Sequence, residues 1–259
     1  MSQSRKRQHL LALVAMSALL FGAAACSSDD EIAPEDELVV NPPVGVEQIT
    51  KAVTALQDQT MQITITTDKL LFDGTYDSKA RTGALSIEYG ESEVQALVFG
   101  NDLYLKGLPN RPANKWLHFD VAKIPATNPF AAVGDPLAGT AYLKAAKEPQ
   151  SLGEGDYTGK LDLRSYASME TDATRKARAT ELANSLGAQA DKLVWAVTLD
   201  NEDRLTELTI GSEPADEDAA PEFVASGVFS EFGTVKHEAV RPAAKDIVEA
   251  PADAYAMTD

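Results

Sequence analysis

The sequence predicts an α+β fold in which one large, curved antiparallel sheet packs against helices on one of its faces. Three observations indicate it. An amphipathic helical segment leads directly into the first of six strand-like segments with short links, and helical segments then alternate with further strands. At 259 residues the chain can form one or two domains. Because at least eight predicted strands follow this pattern, we predict a single α+β domain.

The amino-terminal half of this domain reads as a helix followed by an antiparallel meander. Residues 46–56 carry apolar side chains at spacings of three, four and three, which puts them on one helical face. The period then changes to two, as in a half-buried strand, where Met61, Ile63 and Ile65 alternate with polar residues. Further strands are predicted at residues 70–76 and 83–89 and, as three consecutive runs, within residues 93–120.

The segment 93–120 has large side chains on both faces of its predicted strands. Leu103, Tyr104 and Leu105 are consecutive in one strand, and a second apolar run follows at Trp116. Since successive strand residues point to opposite faces, neither face of these strands is polar. One face can therefore be core while the other is kept apolar for a ligand, and the sequence leaves open which face is which.

The carboxy-terminal half mixes helices and strands. Asn128 and Pro129 are typical of a helix entry, as N-cap and first helical residue, and glycine and proline interruptions up to Lys147 predict two short helices there. A longer helix is predicted to end before Gly187. The ranges are residues 157–166 for a strand, 168–186 for the long helix, and 193–199, 204–211 and 223–229 for three more strands.

The amino terminus has the pattern of an export signal that is removed from the mature protein. A basic segment at residues 5–9 precedes a short apolar run and three alanines, and the run falls below the ~20 residues that span a bilayer. Cys26, the only cysteine, follows directly. Together with Ala23, where leucine is usual, this end resembles the lipobox of bacterial lipoproteins, which implies a diacylglyceryl anchor on Cys26. An ordinary signal peptidase would cut the same bond and leave a free thiol.

We therefore expect four parts. Residues 1–25 are the removed signal peptide, 26–45 the lipidated amino terminus and an acidic disordered tether, 46–242 the main folded domain, and 243–259 a polar tail. The expected location is the outer face of the cytoplasmic membrane, held there by the lipid anchor.

Composition and motifs argue against several classes of function. The net charge of −17 disfavours a nucleic-acid partner, because phosphate binding needs a basic surface. His118 and His237 are the histidines that remain after export, and no nucleophile elbow, zinc motif, calcium loop or nucleotide-binding glycine motif accompanies them. His118 reads as a partly buried strand residue with a hydrogen-bond partner. We expect no enzyme activity, catalytic residue, metal or cofactor.

The mature domain resembles the LppX/LprA/LprF/LprG family of actinobacterial lipoproteins over residues 46–242. The segments that carry the likeness are VEQITKAVTALQDQTMQITI, LVFGNDLYLK, KWLHFD, NPFAAVGDP, LVWAVTLDNEDRLTELTI and SGVFSEFGTVKHEAVRPA. The resemblance implies a half-barrel, similar to the periplasmic lipoprotein carriers, whose curved sheet and helices enclose an apolar cavity. Its members hold acylated lipids or lipoglycans and are thought to move them towards the outer cell envelope.

On this reading the apolar strand and helix residues are candidates for the cavity wall. They are Ile63, Ile65, Leu85, Ile87, Val98, Leu103, Phe130, Val133, Leu137, Trp195, Val197, Leu208 and Ile210. The expected partners are an acylated lipid or lipoglycan and an envelope transporter or acceptor protein. The alternative is an envelope interaction or sensor module with a filled core and no cargo, for which the same residues would be plain core.

Overall fold

A computed structural model describes residues 45–213, 223–236 and 239–257. Within these ranges the chain forms twelve strands and six α-helices. The strands are β1 Thr60–Thr67, β2 Leu71–Asp77, β3 Thr82–Tyr89, β4 Ser92–Phe99, β5 Asp102–Lys106, β6 Trp116–Asp120, β7 Ala146–Gly153, β8 Asp156–Leu161, β9 Leu193–Leu199, β10 Leu205–Ser212, β11 Phe223–Ser230 and β12 Ile247–Glu249. The α-helices are α1 Val46–Ala55, α2 Ala131–Gly134, α3 Ala138–Ala141, α4 Leu163–Met169, α5 Ala173–Leu186 and α6 Ala252–Tyr255. The predicted signal peptide, Cys26, the tether and His237 lie outside the described residues.

All twelve strands belong to one sheet, in the order β12-β6-β5-β4-β3-β2-β1-β11-β10-β9-β8-β7. Among the described strands, the pairing of β12 with β6 is parallel and every other pairing is antiparallel. The sheet is two meanders, β1 to β6 and β7 to β11, which meet where β1 pairs with β11. The predicted α+β class, with a large antiparallel sheet and helices on one face, is confirmed.

The strand register puts the large apolar side chains on a single face, which we call the inner face. Partners in an antiparallel ladder point to the same side of the sheet, and Ile63 lies opposite Phe229 while Leu208 lies opposite Val197. Following the register from strand to strand places all ten strand residues of the predicted cavity wall on this face. Leu103 and Leu105 point inward and Tyr104 outward, which answers the question that the sequence left open.

The helices pack on the inner face and bury most of it. Ile49 and Val53 of α1 are buried, and Phe130 and Val133 beside and within α2 are fully buried. Tyr166 of α4 is also buried, and α5 contributes the small side chains of two buried alanines. The helix predicted over 46–56 is confirmed in α1, as are the two short helices predicted after Asn128.

Two predictions about the region between residues 146 and 186 were wrong, and one strand was missed. The predicted strand 157–166 ends at Leu161, because Asp162 caps α4 by accepting a hydrogen bond from the backbone N–H of Ser165 at 2.9 Å. The long helix begins at Ala173 rather than 168, since Asp172 caps it in the same way. The edge strand β7 was not predicted, because its exposed polar residues lack any alternating pattern.

The predicted polar tail, residues 243–259, is folded over most of its length. Residues Ile247–Glu249 form β12, and Ala254 is fully buried. The buried side chain of Asn128 donates hydrogen bonds from Nδ2 to the carbonyl oxygens of Ala254 and Tyr255, at 3.2 and 3.0 Å. The domain therefore extends past residue 242, because small apolar residues and backbone pairing hold the segment where the sequence suggested only polarity.

A charged cluster on the outer face also joins this segment to the sheet. His118 places Nε2 2.9 Å from Oδ1 of Asp102 and Nδ1 3.0 Å from both carboxylate oxygens of Glu249, and its ring stacks on Tyr104. Arg241 donates to Oδ2 of Asp102 at 2.9 Å. Burial disfavours the charged ring, but the hydrogen bonds to the two carboxylates outweigh it and raise the pKa of His118 above its ordinary value. The predicted partly buried strand histidine with hydrogen-bond partners is confirmed.

We expect the stabilising effect of His118 to depend on pH. Because its pKa is raised on folding, the contribution is fully present below the unfolded pKa of about 6.5 and is lost as pH rises through the folded pKa. At low pH His118→Gln should lower the melting temperature by about 2–4 °C, for an effect near 1 kcal/mol. Thermal unfolding of both proteins across this pH range checks it, and a difference that grows with pH would contradict it.

Candidate functional site

A cavity of about 500 Å³ lies between the inner face of the sheet and the helical layer. The strands that line it are β1, β10 and β11, and the opposite wall comes from residues 126–142 and the second half of α5. Most of its surface is apolar. The apolar wall consists of Ile65, Ala126, Pro129, Ala131, Ala132, Pro136, Ala138, Gly139, Leu182, Leu186, Leu208, Ala225, Gly227 and Phe229.

Small residues keep this part of the molecule open. Gly227 lies opposite both Ile65 and Leu208 in the sheet, in the middle of the cavity floor. A Cβ atom at Gly227 would lie 2.8 Å from Cζ of Phe229 and 3.0 Å from Cδ1 of Ile65, too close for the present packing. Across the gap, Gly139 has only Leu208 near its Cβ direction, at 3.8 Å. Gly139 thus leaves space on the helical wall, whereas the position above Gly227 is already covered by Phe229 and Ile65.

The helical wall is fixed to α5 by hydrogen bonds. Glu181 accepts from the backbone N–H of Ala126 at 2.8 Å and from Oγ1 of Thr127 at 3.3 Å. Oδ1 of Asn128 accepts from the backbone N–H of Phe130 at 2.9 Å, which orients the start of α2. Residues 126–130, the loop before α2, are held in this way. Leu182 and Leu186, one turn apart on α5, face the cavity.

The exposed residues of the lining mark the mouth of the cavity. Asp68 and Lys69 come from the turn between β1 and β2, Thr127 comes from the loop, and Ser185 and Gln189 come from the end of α5. Nζ of Lys69 lies 3.3 Å from the carbonyl oxygen of Thr127 and bridges two of these segments. The mouth is therefore polar while the wall is apolar, an arrangement typical of sites that bury an apolar ligand.

A second group of polar side chains lies within the cavity wall. Asp135 is buried and accepts a hydrogen bond from Nε of Arg175 at 3.1 Å. Burial opposes the charge of Arg175, but the Asp135 carboxylate outweighs it and raises the pKa of that guanidinium. Burial, with Asp135 nearby, raises the pKa of Tyr142 to about 12, so its hydroxyl is neutral. Arg178 also lines the cavity, and burial lowers its pKa.

Two of the thirteen predicted wall residues, Ile65 and Leu208, line this cavity. The others are corrected to core or near-core positions, because α1 and the segments around α2 to α4 cover the rest of the inner face. These are Ile63, Leu85, Ile87, Val98, Leu103, Phe130, Val133, Trp195, Val197 and Ile210, all buried, and Leu137, partly buried against the core.

Sequence reasoning missed several wall residues whose pattern was visible. Leu182 and Leu186 have the four-residue spacing of a helical stripe, and Phe229 lies in a predicted strand. The alanines and glycines of the helical wall carried no signal of their own. Arg178 and Asp135 carried none either, since isolated charged residues in a helical segment are normally solvated.

Nothing in the described part of the chain suggests metal chemistry or a membrane span. No group of three or more histidine, cysteine, aspartate or glutamate side chains there could hold a metal ion. None of the described helices is both long and apolar enough to cross a bilayer. His118 lies on the outer face, with both ring nitrogens occupied by carboxylates.

Comparison with known proteins gives a structural likeness and no family. No protein-family model matches the chain, and no curated protein matches it. Among solved structures, the chain is similar to a LolA superfamily protein from Nitrosomonas europaea, at 11% identity and a TM-score of 0.31, over 74% of this chain and 94% of that one. The site is therefore interpreted from its own geometry.

Two truncations to alanine on β10 test whether the cavity beside Leu208 is empty. Ile210→Ala removes a fully packed side chain and should cost about 2–5 kcal/mol of unfolding free energy. Leu208→Ala should cost clearly less, because one side of Leu208 faces the cavity rather than packed neighbours. Chemical denaturation of both variants measures the difference, and equal losses would show that the site around Leu208 is filled.

Proposed function

We propose that the protein is a lipid carrier of the cell envelope, which binds an acyl chain in the cavity between sheet and helices. The observation that supports this is the cavity itself, about 500 Å³, mostly apolar, with a polar mouth. This volume is within the range of roughly 300–1,000 Å³ that small-molecule sites occupy. A filled core, expected for an interaction module without cargo, would leave no such space.

The volume suits one acyl chain rather than several. At about 30 Å³ for each water-sized group, a methylene included, the cavity holds roughly sixteen groups. Burial of each methylene is worth about 0.8 kcal/mol before the costs of ordering and association are subtracted. One chain of common length can therefore supply the binding energy, and no reactive group is required. Parts of an acylated lipid or lipoglycan that exceed this volume would extend through the mouth.

The amino-terminal pattern supports a membrane-anchored carrier. A diacylglyceryl group on Cys26 supplies the two chains that stable anchoring requires. The acidic residues 26–45 would then act as a tether at the outer face of the cytoplasmic membrane. From there the carrier would receive its lipid and deliver it to a transporter or acceptor protein of the envelope.

Filling the cavity should abolish cargo binding. Gly139→Phe directs a ring towards Leu208, and its Cβ itself meets only an ordinary contact there. We expect binding of a fluorescent fatty acid to fall at least about tenfold, because the space for the chain is occupied. Ala177→Phe, at an exposed position of α5, is the matched control. Native mass spectrometry of protein from a lipid-rich host gives the direct readout. A wild-type protein that carries no bound amphiphile in this experiment would refute the proposal.

The anchor is tested separately. Cys26→Ser removes the only thiol that could be acylated. We expect loss of incorporated radiolabelled palmitate and a shift of the protein from the membrane to the soluble fraction, because a chain without its lipid has no stable hold on the bilayer. Wild-type protein that incorporates no palmitate would instead favour ordinary signal cleavage and a free thiol.

A further inference from the structure

We infer that Arg178 makes the cavity selective for an amphiphile with an anionic head, a carboxylate or phosphate, whose charge lies against the guanidinium while its chain follows the apolar wall. The inference rests on the proposed function and adds the chemical class of the cargo. It is based on Arg178, a partly buried charged side chain that makes no ion pair within the described residues.

The partners of Arg178 are neutral. Its Nη2 donates to the carbonyl oxygen of Val121 and its Nη1 to that of Ala131 at 3.5 Å, the limit of a hydrogen bond. Its Nε is buried and has no partner within the described residues. That atom is closed off by its neighbours, but each Nη carries two N–H groups and these bonds use one on each, so the guanidinium retains donors for an acceptor.

The nearest carboxylates are already engaged. Asp135 is bound by Nε of Arg175. Glu181 accepts from the loop at Ala126 and Thr127, and Asp172 accepts from the backbone N–H of Arg175 as the cap of α5. Arg178 makes no ion pair within 4.0 Å in the described part of the chain. The fall in its pKa on burial agrees with a cation that lacks a full counter-charge.

Among the described residues, Arg178 therefore stands in the cavity wall without a carboxylate of its own, since Arg175 takes Asp135. Guanidinium is the side chain best matched to carboxylate and phosphate, because its planar donors fit their oxygens. In a partly desolvated wall that attraction is stronger than in water.

The test compares two probes that differ only in charge. Parinaric acid and its methyl ester have the same chain, and both fluoresce more strongly in an apolar site. We expect the wild type at pH about 8 to bind the acid at least tenfold more tightly than the ester. In Arg178→Met the ratio should fall close to one, with ester binding within about twofold of wild type. Arg178→Lys, which restores a charge, should recover part of the ratio.

The control is Lys176→Met, which removes the same charge from an exposed position of the same helix and should leave the ratio unchanged. If Arg178→Met does not fold, Arg178→Lys carries the comparison, and the wild-type preference must in addition disappear when pH is lowered through the carboxyl pKa of the probe. A preference that persists there overturns the inference.

The outcomes separate the two proposals. If neither probe binds the wild type, the carrier function itself fails. If both probes bind equally well to the wild type, the carrier function stands and the role of Arg178 is refuted. Free phosphate could also occupy a lone cation, so inorganic phosphate is added as competitor. Because the chain contributes to binding of the acid, we expect millimolar phosphate to leave acid binding unchanged; a site that binds free phosphate as tightly as the acid would refute an amphiphile as the cargo.

Discussion

The continuous apolar face of the sheet is the constraint on which the rest of this structure depends. Along the central strands the inward apolar residues recur with period two, and a slip of one residue would turn them all to the other side. The register therefore has to agree across every pairing, including the join of the two meanders, where Ile63 lies opposite Phe229. Such a face cannot stay in water, and the helices are positioned by the need to cover it.

The cover is incomplete at one place, and the reason is side-chain size. Over β2 to β5 large side chains from both layers fill the space, as with Phe72 below and Phe130 above, both fully buried. Over β1, β10 and β11 the helical layer presents alanines and Gly139, which do not fill the space above Ile65, Leu208 and Phe229. Protein interiors otherwise leave few voids larger than a water molecule. A space of about 500 Å³ beneath this small-residue layer is consistent with room for a ligand.

The strands were predictable from the sequence, and the cavity was not. Ile63 and Ile65 have the same alternation and the same inward direction, yet only Ile65 lines the cavity, because the difference lies in what the helices place above them. The wall above is largely alanine, which carries no signal for a pocket when the chain is read alone. The folded tail escaped prediction for a related reason. Residues 247–249 gain their strand partner from β6, more than a hundred residues earlier.

The two edge strands of the sheet bear on how the inner face can be reached from solvent. One edge is β12, only three residues long, and the other is β7, which contains Pro149, a register shift and a positive φ of 51° at Glu148. Both features discourage the addition of a further strand. Both edges discourage pairing with a further strand, and the helices cover most of the inner face. In the described part of the chain, the approach to the apolar wall is therefore the mouth of the cavity beside Lys69 and Gln189. On the proposed function, an acyl chain that entered there would pass from the polar mouth along a wall that holds Arg178. The small residues that leave the cavity open would then also bring the ligand within reach of a partly buried charge.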